Sequence, residues 1–203
     1  MRDELKILMA TGNAGKVREL RELLANLPVR LIDLTEFPHI VEPEETGTTF
    51  LENAGLKAKS YSLQTGLWAL ADDSGLEVEA LNGAPGVFSA RYGGAKASDK
   101  ERLDKLLGEL ADTENRRARF VCAMTVTDEK GAIKFNAEGV CDGIIALRAS
   151  GEGGFGYDPI FIPEGFSETF GELPIEVKQQ ISHRKRAIVE IIQQIRRYYD
   201  DLT

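Results

Sequence analysis

Two adjacent carboxylates, Asp72 and Asp73, stand in the stretch Ala69-Leu-Ala-Asp-Asp-Ser-Gly-Leu76, after the apolar run from Leu67 to Ala71 and just ahead of a glycine. An apolar run closed by a turn signal reads as a buried strand. The pair is therefore expected at a strand end on the rim of a sheet, where α/β proteins tend to place ligands. Neighbouring carboxylates repel one another unless a cation or hydrogen-bond donors neutralise them. Oxygen ligands of this kind suit Mg2+, which usually takes one or two carboxylates and completes its shell with waters and substrate phosphates. Asp, Ser and Gly are equally ordinary turn residues, so the stretch alone also reads as a plain surface turn.

Three further stretches carry chemistry-bearing residues. Thr11-Gly-Asn-Ala-Gly-Lys16 follows a β-like run, Leu5 to Ala10, and precedes Val17, Leu20, Leu23 and Leu24 at helical spacing. Strand, glycine turn and helix together aim backbone N–H groups at an anion, which makes Thr11, Gly12, Asn13, Ala14, Gly15 and Lys16 candidates for phosphate contact. The Walker pattern and Gly-x-Gly-x-x-Gly are both absent, and a plain βα turn is the alternative. In Gly151-Glu-Gly-Gly-Phe-Gly-Tyr-Asp-Pro-Ile-Phe161 the glycines allow close backbone approach to a ligand. Around Gly156, Phe155 and Tyr157 offer ring faces for a base and Asp158 an acceptor; the alternative is core aromatics with glycine bulges. Ser182 is a natural N-cap for a last helix whose apolar stripe is Ala187, Ile188, Ile191, Ile192 and Ile195. Its first turn, His183-Arg-Lys-Arg186, puts three permanent cations at the positive helix end, unfavourable by roughly 0.3–1 kcal/mol each at the surface. A bound anion reverses that penalty, so His183 and Arg184 read as ligand contacts.

The elements that must position these groups are legible in outline. A second strand is expected from Val29 to Leu34. Thr49-Phe-Leu-Glu52 is a capping box opening a helix with Phe50, Ala54, Ala58 and Tyr61 inward. Glu44 and Glu45 precede it, either as a solvated acidic loop or with one of them a further metal ligand. Lys57 and Lys59 are by default solvated surface. Gly83 to Gly94 is too glycine-rich for regular structure. Ser98-Asp-Lys-Glu101 is a second capping box, for a helix bearing Leu103, Leu106, Leu107 and Leu110. Arg119–Val126 and Ala132–Phe135 flank a hairpin turn at Asp128-Glu-Lys-Gly131, and a further strand is expected from Gly139 to Leu147. Antiparallel strands after β-α-β units predict a mixed sheet.

The 203 residues, 42% hydrophobic and 29% charged, suit one large domain or two small lobes with a sizeable core. No linker divides the chain, so residues 1–203 read as a single domain. No run approaches ~18 apolar residues, so no membrane span is expected, and the first residues lead into a strand rather than a signal sequence. Cys122 and Cys141 read as small buried hydrophobes in a reducing cytosol. A formal charge of −8 argues against a nucleic-acid polymer as partner, but not against a small phosphorylated ligand met by local cations and a metal.

Thr11-Gly-Asn-x-Gly-Lys16, Glu44-Glu45-Thr-Gly-x-Thr-Phe-x-Glu-Asn-Ala54, Ala71-Asp-Asp-Ser-Gly-Leu76, Gly83-Ala-Pro-Gly86, Ser89-Ala-Arg-Tyr92, Gly153-Gly-Phe-Gly-Tyr-Asp-Pro-Ile-Phe161 and Ser182-His-Arg184 occur in this order. As a set they resemble the inosine triphosphate pyrophosphatase (dITP/XTP pyrophosphatase) family, over the span Thr11 to Arg184. The resemblance implies an elongated α/β protein with a long mixed sheet and flanking helices, two lobes around a central active-site cleft, and a cytoplasmic homodimer. It implies Mg2+-dependent hydrolysis of the deaminated purine nucleoside triphosphates ITP, dITP and XTP to monophosphate and pyrophosphate. Carried over by motif, Asp73 resembles the general base, with Glu45 and Asp73 holding the metal and Asp72 assisting. Lys16, Lys57 and Lys178, with Thr11, Asn13 and Ser74, resemble triphosphate contacts. Phe155, Asp158, His183 and Arg184 resemble the base pocket, with O6 accepting from Arg184 or His183 and N1–H donating to Asp158, an edge that adenine inverts.

Three competing readings remain. A haloacid dehalogenase-type phosphohydrolase wants two Asp separated by one residue after the first strand, a spacing this sequence lacks there. A non-catalytic nucleotide sensor would keep the lysines and Phe155 without needing Asp73 or a metal. A Maf-like pyrophosphatase would differ in base preference.

Overall fold

Strand β1 (Leu5–Met9) pairs in parallel with β2 (Val29–Asp33) on one side and with β3 (Trp68–Val78) on the other. Ile7 lies opposite both Leu31 and Trp68, and Met9 opposite Asp33 and Leu70. These coordinates are a computed structural model describing residues 5–24 and 29–200, with the side chains of Ala14, Glu19, Leu23 and Tyr199 outside the described residues. Helix α1 (Ala14–Leu24) links β1 to β2, and α2 (Phe50–Thr65) precedes β3. The chain continues through α3 (Asp99–Glu109), β4 (Arg117–Thr127), β5 (Ile133–Ile145), β6 (Phe161–Pro163), α4 (Ile175–Ile181) and α5 (His183–Asp200). The sheet order is β2-β1-β3-β4-β5-β6. With β1 parallel to both neighbours and β5 antiparallel to β6, the sheet is mixed, as expected.

The chain forms two compact units. Unit 1 gathers the described residues up to Asp73, then Cys122–Gly139, then those from Arg184 onward; unit 2 is Ser74–Val121 with Val140–His183. In unit 1 the two faces of the strands are sorted by the period of two along a β-strand. Ile7, Met9, Trp68 and Leu70 bury into a core with Leu20 and Leu24 of α1 and Ile188, Ile191 and Ile195 of α5. The alternate residues Leu8, Ala69 and Ala71 enter another core with Ala58 and Tyr61 of α2. Full burial of each large aliphatic contributes ~1.5–3 kcal/mol. In unit 2, Leu76 and Val78 pack with Leu103, Leu106 and Leu110 around α3, and with Phe120, Phe161 and Phe170. There the Phe120 and Phe161 ring centroids are 4.5 Å apart.

Both capping boxes form: Thr49 and Ser98 each accept from the backbone N–H three residues on, and Glu52 and Glu101 reach back. Two expectations change. The two strands foreseen at 132–135 and 139–147 are one strand, β5, because its alternating burial continues unbroken through Gly139. The Gly83–Gly94 loop contains a 3-10 turn, Gly86–Arg91. Ser182, in extended conformation (φ −62°, ψ 153°), follows α4 and directly precedes His183, the first residue of α5, the position expected of its N-cap.

Candidate active site

Asp72 and Asp73 do not sit at a strand end: they lie inside the eleven-residue β3, and both are buried. The run continues because β3 is buried on both faces, so the two carboxylates depart to opposite sides of the strand rather than confronting one another. Asp72 has the parity of Trp68 and Leu70 and meets α1 and α5. Asp73 has the parity of Ala69 and Ala71 and meets α2.

On the first face, Asp72 Oδ2 is 2.8 Å from Lys16 Nζ and 3.5 Å from Arg184 Nε, with the Cys122 thiol 4.0 Å away. The side chains of Asp72 and Arg184 are each 1% exposed. Burial alone would raise the Asp72 carboxyl, but Lys16, Arg184 and Lys57 together hold it well below the ordinary carboxylate range. Of the cations at the start of α5, Arg184 thus has an internal counter-charge in Asp72. At the start of α1 the Asn13 side-chain oxygen accepts from the N–H groups of Gly15 (2.9 Å) and Lys16 (3.2 Å), and Thr11 Oγ1 accepts from Asn13 N–H. Asn13 therefore caps α1, and two of the N–H groups expected to face a phosphate already have an acceptor. Gly12 is exposed, and a Cβ there would meet nothing within 4 Å. The Ala14 side chain lies outside the described residues.

On the second face, Lys57 is buried, contrary to the expectation of a solvated lysine, while Lys59 is exposed as expected. Phe50, Asn53, Ala54, Lys57, Ala58 and Tyr61 form one inward stripe of α2, so positions 53 and 57 are polar insertions into a core face. Lys57 Nζ donates to Glu45 Oε1 at 2.9 Å and lies 3.6 Å from Asp73 Oδ1. Asn53 Nδ2 donates to Asp73 Oδ2 at 3.1 Å. Burial pushes the Asp73 carboxyl up; Lys57 and Asn53 oppose this and Glu45 adds to it, leaving it above the ordinary value. Burial lowers the Lys57 ammonium pKa, but Asp73, Asp72 and Glu45 outweigh it and hold the group charged. Glu44 is exposed.

Two carboxylates, Glu45 and Asp73, converging on one ammonium make an oxygen-rich donor set of the size Mg2+ uses when waters and phosphates complete its shell. Among the described residues no group of three or more His, Cys, Asp or Glu is placed to hold an ion by protein ligands alone. Asp72, on the other face of β3, has its Oδ2 engaged by Lys16 and Arg184.

Unit 2 holds a separate cluster. Lys178 Nζ and Asp158 Oδ2 are 2.5 Å apart and buried, and the Phe155 N–H donates to the same oxygen at 2.7 Å. Lys178 Nζ lies 4.5 Å from the centroid of the Phe155 ring. Lys178, foreseen with the phosphate contacts, therefore groups with Phe155 and Asp158. Gly154 adopts φ +75°, and a Cβ there would fall 2.0 Å from Asp158 Oδ2, so only glycine fits. The Gly156 N–H donates to Asp99 Oδ2 at 3.2 Å. Of the two ring faces foreseen for a base, Phe155 is exposed, whereas Tyr157 is buried with its hydroxyl donating to the Ser89 carbonyl at 2.9 Å. Tyr157 belongs to the core. The His183 ring stacks on Phe120, with centroids 4.8 Å apart. Ser74, half-buried, begins unit 2.

Asn53, Cys122 and Asp99 are site residues the motif reading did not single out. For Asn53 the signal was present as a polar residue on a stripe of core positions. Nothing in the sequence links Cys122 to Asp72 or Asp99 to Gly156.

Among known proteins, the chain is similar to a dITP/XTP pyrophosphatase of Prochlorococcus marinus (strain MIT 9313), 50% identical over 181 residues that cover 89% of this chain and 86% of that relative. A dITP/XTP pyrophosphatase of Nostoc sp. (strain PCC 7120) is 48% identical, covering 92% of each chain. Among solved structures, a HAM1 protein from Coxiella burnetii superposes with a TM-score of 0.89 at 44% identity, covering 95% of this chain and 99% of that one. The Staphylococcus aureus Ham1 protein gives 0.86 at 39% identity, covering 94% and 98%. The Ham1 family model matches residues 7–194, and the chain belongs to that family.

Proposed function

We propose that this protein hydrolyses the deaminated purine nucleoside triphosphates ITP, dITP and XTP to the monophosphate and pyrophosphate, removing them from the nucleotide pool. The relatives named dITP/XTP pyrophosphatase support the reaction and its substrates. The observation that carries the chemistry is Asp73: a buried carboxylate, raised above its ordinary pKa, held between Lys57 and Asn53 with Glu45 close by. A carboxylate shifted toward neutrality is a better general base. It takes a proton from the water that attacks the α-phosphorus, and pyrophosphate departs with its charge met by Lys57 and Lys16. Neither residue needs to become covalently attached.

Glu45 and Asp73 would hold Mg2+, which supplies charge relief at the phosphate oxygens and orients them. Asp72 serves differently: it fixes Lys16 and Arg184 from inside the protein. Within unit 2, the exposed Phe155 ring offers a stacking face for a purine, and the Lys178–Asp158 pair fixes the loop carrying it. A homodimer in the cytosol completes the reading; Cys122 and Cys141, buried and not joined in a disulfide, suit a reducing compartment. Among the described residues no helix is long and apolar enough to cross a membrane.

The test is a panel of ITP, dITP, XTP, GTP and ATP, with and without Mg2+, scored for pyrophosphate against orthophosphate. Pyrophosphate from the deaminated purines is expected, and release of single phosphate from ITP refutes the cleavage position. Asp73→Asn should retain ITP binding by calorimetry and lose at least ~100-fold in turnover, since a general base contributes roughly 10²–10⁴ in rate. Full turnover in that variant would remove the assigned base.

A further inference from the structure

Asn53 is fully buried, and both ends of its side-chain amide are engaged. Its Oδ1 accepts from the Gly47 N–H at 2.8 Å, and its Nδ2 donates to Asp73 Oδ2 at 3.1 Å. A backbone N–H can only donate, so the amide oxygen must face Gly47 and the NH2 must face Asp73. Gly47 lies two residues beyond Glu45. A Cβ on Gly47 would sit 2.7 Å from Asn53 Oδ1 and 2.7 Å from Glu52 Cβ, so the close approach requires glycine there. Asn53 itself is held by helix α2, where its N–H donates to the Thr49 carbonyl.

We infer that Asn53 is a positioning residue for the hydrolytic reaction, a two-ended latch that ties the loop bearing Glu45 to Asp73 and distinguishes the two oxygens of that carboxylate. With Oδ2 committed as an acceptor from Asn53, Oδ1 is the oxygen on the Lys57 side and the one that takes the proton from water. Because Glu45 and Asp73 are both referred to one rigid amide, their separation stays set while substrate binds and leaves. Effects of this kind fall on turnover, since a displacement of ~1 Å at reacting groups costs about 100-fold in rate.

The inference rests on the pyrophosphatase reading, and the two fail separately. Wild type, Asn53→Ala and Asn53→Asp are compared by pyrophosphate release from ITP and by hydrogen exchange at the Gly47 amide, a readout independent of activity. Asn53→Ala removes both bonds: kcat should fall by about 10- to 100-fold with KM within roughly threefold, and Gly47 should exchange at least ~10-fold faster as its acceptor is lost. Asn53→Asp keeps an oxygen for Gly47 but puts an acceptor against Asp73, so Gly47 protection should stay within about twofold of wild type while kcat falls at least ~10-fold. Wild-type kcat in Asn53→Asp would overturn the orienting of Asp73, and unchanged Gly47 exchange in Asn53→Ala would overturn the loop latch. An inactive wild type that shows the same exchange pattern would sink the pyrophosphatase reading and leave the latch standing. If Asn53→Ala does not fold, the nearly isosteric Asn53→Leu, which likewise offers Gly47 no acceptor, takes its place in the exchange measurement, while Asn53→Asp decides the orienting of Asp73.

Discussion

Replacing Asp72 by Asn isolates the ion cluster on the α1/α5 face. The amide is nearly isosteric, so the packing of β3 is kept while the charge is removed. Lys16 and the 1% exposed Arg184 then face a neutral group. Breaking a buried ion pair by deleting one partner costs about 3–5 kcal/mol, because the remaining charge is left buried and uncompensated. At roughly 2–4 °C per kcal/mol for a chain of this size, the melting temperature at pH 7 should fall by about 6–20 °C. The pH dependence has a definite sign. The folded-state pKa of Asp72 is depressed, the attraction of Lys16 and Arg184 outweighing burial. Its contribution is therefore complete above the unfolded carboxylate value of ~3.9 and is lost as pH falls through the lower folded value. The gap in melting temperature between wild type and Asp72→Asn should thus be constant from about pH 5 to 8 and narrow below about pH 4. Thermal melts followed by circular dichroism across that range measure it. A gap under ~3 °C at pH 7, below the range expected for a broken buried pair, or one that widens on acidification, would refute the claim that Asp72 is the internal counter-charge of Arg184.

On the other face of β3, Lys57→Met should destabilise by about 2–3 kcal/mol, less than a fully buried pair because Glu45 is partly solvated. Adding Asp73→Asn should recover most of that loss, since the orphaned carboxylate is what costs; strictly additive melting shifts would argue against a shared cluster. Tyr157→Phe removes the hydroxyl bond to the Ser89 carbonyl in unit 2. It should cost about 1–2 kcal/mol, read as a lower urea midpoint at unchanged slope, and an unchanged midpoint would show that the bond adds nothing to folding.

The fold was legible where pattern and period agree. The capping boxes at Thr49 and Ser98 and the hairpin at Asp128–Gly131 are local devices, complete within a few residues, and each forms as read. The extent of β5 was not legible, because alternation through Asn136, Glu138 and Val140 is equally consistent with a break at Gly139. The acidic pair shows how a local reading can single out buried charged residues for an incomplete reason. Adjacency in sequence suggested mutual repulsion and a shared ion, but adjacency within a strand means opposite faces. The cations that answer each carboxylate come from α1 and α5 for Asp72 and from α2 for Asp73, at separations of 56 and 112 residues for Lys16 and Arg184 and 16 for Lys57. Contacts that distant leave no trace in spacing.

What could have been read is the α2 stripe. Positions 50, 53, 54, 57, 58 and 61 form an i, i+3, i+4 series, and two of its members are Asn53 and Lys57 rather than apolar residues. A polar side chain at a core position costs several kcal/mol unless it finds partners. Such a residue therefore predicts a partner inside the protein, of complementary type. An amide and an ammonium on one buried stripe together call for carboxylates, and Asp73 and Glu45 are the carboxylates that answer. That inference needs no resemblance to any family. It locates the buried Asp73–Lys57–Glu45 cluster from the helix that packs on it rather than from the strand that bears it.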